Sequence, residues 1–177
     1  TDEDEKMKEE LLADPKEKAE HLMLVDLARN DLGRVCTTGT VNVKSFMQPE
    51  LYSHVIHLVS EVNGTIEKNK TPLDVLRSAF PAGTVSGAPK ISAIEILSKL
   101  EKSKRNFYAG APGYISCSGD LDFCIAIRCA LKQNNIWTLQ AGGGIVHGSD
   151  PEREWEETNE KLGSMRAVLE ENITKNA

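Results

Sequence analysis

The sequence lacks a surplus of positive charge, paired cysteines, any long apolar run and any internal repeat. Each absence excludes something. The formal charge is −6, which argues against a nucleic-acid-binding surface. It leaves room for an anionic ligand, provided that local cations or a metal ion hold it. The four cysteines, Cys36, Cys117, Cys124 and Cys129, include no Cys-x-x-Cys pair. Cys117, Cys124 and Cys129 lie in strand-like apolar text and read as buried thiols of a reducing compartment. No apolar stretch reaches the roughly 20 residues of a membrane-spanning helix, and the acidic opening Thr1-Asp2-Glu3-Asp4-Glu5 is no secretory signal. The expectation is a cytoplasmic chain with neither a nucleic-acid nor a membrane partner. Walker and dinucleotide-binding glycine spacings are both missing.

What is there suits one domain over 1–177 with a real core: 40% hydrophobic and 27% charged residues in 177. The abrupt acidic start reads as the inside of a helix or loop, so the chain is expected to be a piece of something longer.

Local signals divide the chain into helices and strands. Met7, Leu11 and Leu12 predict a short amphipathic helix over 1–13. Asp14-Pro15-Lys16-Glu17 starts a second helix, with Asp as N-cap, Pro at the first position and Glu three residues on, and it runs to about Gly33. Thr40–Gln48 reads as a strand. Tyr52–Val62 reads as another, apolar on both faces and therefore central, ended by the turn Asn63-Gly64. His54 and His57 fall on its opposite faces. Thr71-Pro72-Leu73-Asp74 opens a capped helix to about Ala79, and Lys90–Leu100 is a further helix. Ala109–Ser118, Leu121–Leu131 and Ile136–Ala141 predict an antiparallel meander. Asp150-Pro151 starts a last helix to about Thr174. The fold class is α+β, in layers, with mainly antiparallel strands.

Three features bear on chemistry. The stretch Phe80 to Lys90 places Gly83, Gly87, Pro81, Pro89, Thr84, Ser86 and Lys90 between two helices. It is either a rigid capped turn or a loop that lets a ligand approach the backbone at a helix N-terminus. Gly142-Gly143-Gly144 ends a strand that three glycines would weaken, and its N–H groups are suited to an anion-binding concavity. Glu154, Glu157 and Lys161 form one stripe on the last helix just beyond those glycines; such a stripe is usually a solvated face.

Several separated segments together resemble one family. They are Ala19-Glu20-His21 with Asp26 to Asp31, Tyr52 to Ser60, Pro81 to Lys90, Tyr108 to Tyr114, Ile125 to Arg128, Gln140 to Val146 and Glu154 to Glu157. In this order, over nearly the whole chain, they resemble the chorismate-utilising enzymes, most closely the large subunits of anthranilate synthases. Pro-Ala-Gly-Thr at 81–84 is similar to that branch, whereas aminodeoxychorismate synthases tend to carry Pro-Gly-Gly-Ser. Ala82 and Thr84 therefore discriminate between products.

The resemblance implies a sandwich of antiparallel sheets with helices outside, and a Mg²⁺-dependent lyase. Ammonia from a glutamine amidotransferase partner adds to C2 of chorismate with loss of the C4 hydroxyl, and pyruvate is then eliminated, in the first step of tryptophan biosynthesis. It implies Glu20 and Glu157 as metal carboxylates, with Glu17 and Glu154 as water-bridged partners. His57 assists elimination. Thr84, Tyr108, Arg128, Gly142, Gly144 and Lys161 contact the substrate's carboxylates or pyruvyl group. Tyr114 and Cys124 match positions lining a tryptophan feedback site. Glu160 stands where many relatives have Asn before the lysine. The resemblance further implies a C-terminal portion of a larger chorismate-binding domain, a hetero-oligomer in the full-length protein, and a 177-residue chain that by itself turns over little. An aminodeoxychorismate or isochorismate synthase, or an inactive truncated fragment, is the alternative.

Overall fold

The computed structural model describes residues 2–52 and 56–175, with side chains at all of these except 2, 164 and 171–175. It divides into two compact units, residues 1–83 and 84–177. Among the described residues no helix is long and apolar enough to cross a membrane.

The first unit holds helices α1 (Asp2–Ala13), α2 (Pro15–Gly33) and α3 (Pro72–Ala79) and strands β1 (Asn42–Leu51) and β2 (Ile56–Asn63). Its helix boundaries follow from capping chemistry. The Asp14 carboxylate accepts from the Lys16 and Glu17 N–H groups at 2.7 and 3.1 Å. That satisfies donors that have no partner inside the helix, while Pro15 has none to satisfy. At α3 the Asp74 carboxylate accepts from the Thr71 N–H and hydroxyl at 2.8 and 2.7 Å. These bonds hold its carboxyl below the usual carboxylate range.

Strands β1 and β2 pair antiparallel, from Asn42 opposite Asn63 to Leu51 opposite Ile56. The register slips between Val43 and Ser45 and again between Ser45 and Gln48, and Met47 sits at φ 49°. These are β-bulges, which insert residues and bend the strand. The apolar text of β2 predicts a central strand. Among the described residues β2 pairs only with β1. His54 lies outside the described residues.

One polar link ties α2 to this hairpin. His21 Nε2 lies 2.7 Å from Ser60 Oγ, which also accepts from the Met47 N–H at 2.9 Å. Burial lowers the His21 imidazole below its ordinary 6.5, because a charged ring is harder to keep out of water. The unfolded chain therefore takes this proton first as pH falls. Stability is full above about pH 6.5 and drops below it until the folded imidazole is also protonated. Thermal melts across that window should show the loss, and His21→Gln should reduce it. An unchanged pH profile in the variant would clear His21 of the effect.

The second unit holds α4 (Lys90–Leu100), the short strands β3 (Gly113–Ile115), β4 (Leu121–Phe123), β5 (Ala130–Gln133) and β6 (Ile136–Leu139), and α5 (Pro151–Lys175). A 3₁₀ turn spans Gly83–Val85. Asp150 caps α5 through its Oδ1, which accepts from the Arg153 N–H at 2.9 Å. The predicted meander is two separate antiparallel hairpins, β3–β4 and β5–β6. The expected long strand over 121–131 breaks after Phe123. Ala126 is buried, its N–H donates to the Gly110 carbonyl and its carbonyl accepts from the Ala109 N–H, both at 2.9 Å. Arg128 then takes the left-handed φ of 52°. A residue there leaves the extended conformation of a strand. Asn134 and Asn135 turn β5 into β6 with φ of 50° and 62°, as their tolerance of that region allows.

The thiols differ from expectation. Cys36 is buried, Cys129 half-buried, and Cys117 and Cys124 exposed. Each hairpin has only two short strands, so flanking residues stay open to water.

Candidate active site

The second unit gathers several chemically distinctive residues around Gly142 and Gly143. Lys161 Nζ donates to the Gly142 carbonyl at 3.4 Å and to the Glu157 carboxylate one turn back on α5. A Cβ placed on Gly142 would lie 3.4 Å from the Tyr108 hydroxyl. One placed on Gly143 would lie 3.3 Å from Glu154 Oε2 and 3.5 Å from Thr158 Oγ1. The glycine strand end therefore runs directly along the Glu154–Glu157–Lys161 stripe. That stripe is no solvated face: Glu154 is buried and Glu157 and Lys161 are half-buried. At Gly143 a side chain would require the Glu154 carboxylate to give by a few tenths of an ångström.

The site is rich in donors that the protein itself does not use. Among the described residues, the N–H groups of Gly142, Gly143 and Gly144 donate to no protein acceptor. Arg128 is exposed and has no carboxylate partner there. It is close enough to Tyr108 to act on its phenol. Burial raises the Tyr108 pKa, against the opposing pull of the Arg105 and Arg128 charges. The phenol is thus a protonated donor at neutral pH. A left-handed arginine is uncommon, and such backbone conformations cluster at functional sites.

Thr84 lies exposed in the 3₁₀ turn, whereas Ala82 is buried. Of these two residues, only Thr84 has its side chain open to solvent. Gly83 is required for packing: a Cβ there would sit 2.6 Å from Leu27 Cδ1. Gly87 is required for its φ of 123° and for the Ala93 methyl, 3.1 Å from a built Cβ. Both glycines serve the fold, where the sequence left a ligand approach open. The Phe80–Pro81 and Ala88–Pro89 peptides are cis.

The first unit carries the other predicted residues. Glu20 is half-buried on α2 and Glu17 exposed one turn earlier. His57 is exposed on β2, opposite Glu50, with its ring 5.8 Å from that of Tyr52. It is not the hydrogen-bonded core histidine that a strand position usually implies. Tyr114 and Cys124 are both exposed on the β3–β4 hairpin.

Metal chemistry is represented by carboxylates alone. Among the described residues no three His, Cys, Asp or Glu side chains gather as a ready-made metal site. Magnesium does not require one, because it keeps several waters and is held by one or two carboxylates together with substrate oxygens. Glu157, with Glu154 three residues earlier on the same face of α5, is a carboxylate of that kind. Sequence reasoning missed Thr158 and Arg105, for which no local signal exists.

The chain matches the family of chorismate binding enzymes over residues 1–167. It is 61% identical over 167 residues to anthranilate synthase component 1 of Spirochaeta aurantia, covering 94% of this chain and 35% of that one. It is 53% identical over 169 residues to the protein of the same name from Aquifex aeolicus, covering 96% and 34%. The crystal structure of anthranilate synthase component I from Streptococcus pneumoniae is similar with a TM-score of 0.88 at 48% identity, over 93% of this chain and 38% of that one. A Bacillus anthracis structure described as a 2,3-dihydroxybenzoate-specific isochorismate synthase gives 0.82 at 33%, over 94% and 44%. The chain spans about a third of the length of these curated relatives.

Proposed function

This chain belongs to the family of chorismate-binding enzymes, and on that premise we propose that it supplies one wall of the active site of an anthranilate synthase large subunit. The reaction is the Mg²⁺-dependent conversion of chorismate and ammonia into anthranilate and pyruvate, a lyase reaction that opens tryptophan biosynthesis. The ammonia comes from a glutamine amidotransferase partner, in a hetero-oligomer; relatives named component 1 favour a second component. The setting is cytoplasmic.

One observation carries this reading: donors without protein acceptors, at Tyr108, Arg128 and Gly142–Gly144, lie in the same unit as the Glu154–Glu157–Lys161 stripe. Chorismate is a dianion, and a protein of charge −6 must hold it with local positive groups. Arg128 presents a fork suited to a carboxylate. The glycine N–H groups and the Tyr108 hydroxyl add neutral donors, and Lys161 adds a second cation. Thr84 lies along the substrate. His57 moves a proton at the departing hydroxyl, a task suited to imidazole near neutral pH. Glu157 and Glu20, with Glu154 and Glu17 as water-bridged partners, would hold Mg²⁺, which would supply positive charge to neutralise a substrate carboxylate. Tyr114 and Cys124 face a regulatory tryptophan site.

The isochorismate and aminodeoxychorismate branches are the second reading, favoured by the isochorismate synthase relative at 33% identity. Product analysis separates them. The whole enzyme containing this chain, given chorismate, ammonium and Mg²⁺, should form fluorescent anthranilate. His57→Ala should slow turnover by about 10²-fold, and the 177-residue chain alone should be silent. Isochorismate or aminodeoxychorismate as the product would replace the reading with the second one. Native-like turnover by the short chain would show that these residues suffice.

A further inference from the structure

Arg105 is not among the residues that the reading above uses, yet it contacts the surroundings of two that are. Its Nε donates to both Glu101 oxygens, at 3.0 and 2.9 Å, and its Nη2 to Glu101 Oε1 at 2.6 Å. Its Nη1 donates to the Val85 carbonyl at 2.5 Å. The guanidinium also lies over the Tyr108 ring, 5.8 Å from its centroid. One planar group thus ties together the C-cap of α4, the turn that carries Thr84, and the ring of Tyr108.

We propose that Arg105 is a positioning residue: it fixes the Thr84–Val85 turn and Tyr108 relative to each other, and so sets the spacing of two substrate contacts. This rests on the substrate-binding reading of Thr84 and Tyr108. Glu101 aims the fork. A bidentate carboxylate leaves the guanidinium plane little freedom, and the remaining Nη1 donor then reaches only the Val85 carbonyl. The face of the same plane attracts the Tyr108 ring electrostatically. Tyr108 is further tied by its N–H, which donates to the Arg105 carbonyl at 2.9 Å. Backbone and side chain of one arginine therefore hold the same tyrosine. Lysine would keep the charge but cannot satisfy three directions from one plane.

The test is Arg105→Gln in the whole enzyme, with Arg105→Lys alongside. The Gln variant should raise KM for chorismate about tenfold while kcat falls less than about threefold, because binding geometry is lost rather than a reacting group. Amides of residues 84–87 should exchange about tenfold faster in hydrogen-exchange mass spectrometry, since the turn has lost its anchor. The Lys variant should shift both readouts the same way, by less, and serves if the Gln variant folds poorly. A variant that melts earlier yet keeps KM and the 84–87 protection would overturn the proposal and leave Arg105 a structural ion pair. If the unmodified enzyme proves not to turn over chorismate, the substrate reading falls. The exchange readout then still decides whether Arg105 anchors the turn.

Discussion

Glu157→Gln in the whole enzyme is expected to remove chorismate turnover by ~10²–10³-fold, the scale on which a metal-held carboxylate or a similar electrostatic group contributes to catalysis. Two roles compete for this side chain. As a plain helical ion pair with Lys161, four residues on, it would contribute about 0.3–0.5 kcal/mol to stability and nothing to chemistry. As a metal carboxylate it would shift the Mg²⁺ dependence as well as the rate. The surroundings favour the second role: the pair is half-buried against the Gly142 carbonyl, with buried Glu154 one turn away. Kinetics over a Mg²⁺ titration decide it. Full activity at ordinary Mg²⁺ would refute the metal assignment. A loss recovered only at high Mg²⁺ would place Glu157 at the ion. Glu154→Gln should give a smaller loss, because Glu154 is assigned to a water-bridged position.

Gly113→Ala should destabilise the second unit by roughly 2–4 kcal/mol, in the range of severe steric substitutions. A Cβ at Gly113 would come within 2.2 Å of the Asp122 carbonyl oxygen and 2.5 Å of Phe123 Cγ. The nearest obstacle is backbone, so a rotamer change cannot relieve it. The β3–β4 ladder, with Gly113 opposite Phe123 and Ile115 opposite Leu121, would have to open. Urea denaturation should show a lower midpoint with an unchanged slope. Gly163→Ala is the control. It lies exposed within α5 with open space around its built Cβ, and alanine there should stabilise by about 0.5–1 kcal/mol through helix propensity. Equal midpoints for the two variants would mean that the β3–β4 hairpin can yield at no cost.

The same comparison separates local from long-range information. The caps at Asp14, Thr71 with Asp74, and Asp150 are legible in the sequence because donor and acceptor lie within three residues of each other. The three helices α2, α3 and α5 begin where those residues say. The α+β class was legible for the same reason: each helical period and each turn is written in a few consecutive positions. The strands were less so. Nothing local marks the end of β4 at Phe123 or the left-handed φ of Arg128 that separates it from β5. Nor does the apolar run of β2 reveal that, among the described residues, it pairs with β1 alone, since an apolar run reports only that a strand suits burial. The exposed thiols of Cys117 and Cys124 were misjudged on that ground too.

The candidate site divides in the same way. Residue by residue, the sequence by itself put forward the candidates through its family resemblance: Glu20, His57, Thr84, Tyr108, Arg128, Gly142, Gly144, Glu154, Glu157 and Lys161. It also carried the helical spacing that sets Glu154, Glu157 and Lys161 on one stripe. Only the tertiary structure decided what that stripe faces, because a helix pattern does not name its neighbour. It placed the glycine strand end against the stripe, gave Gly83 and Gly87 to packing and turning, buried Ala82 while exposing Thr84, and brought Arg105 over Tyr108. Each of these depends on groups many residues apart meeting in space, and such meetings are fixed by packing rather than by any local run of residues.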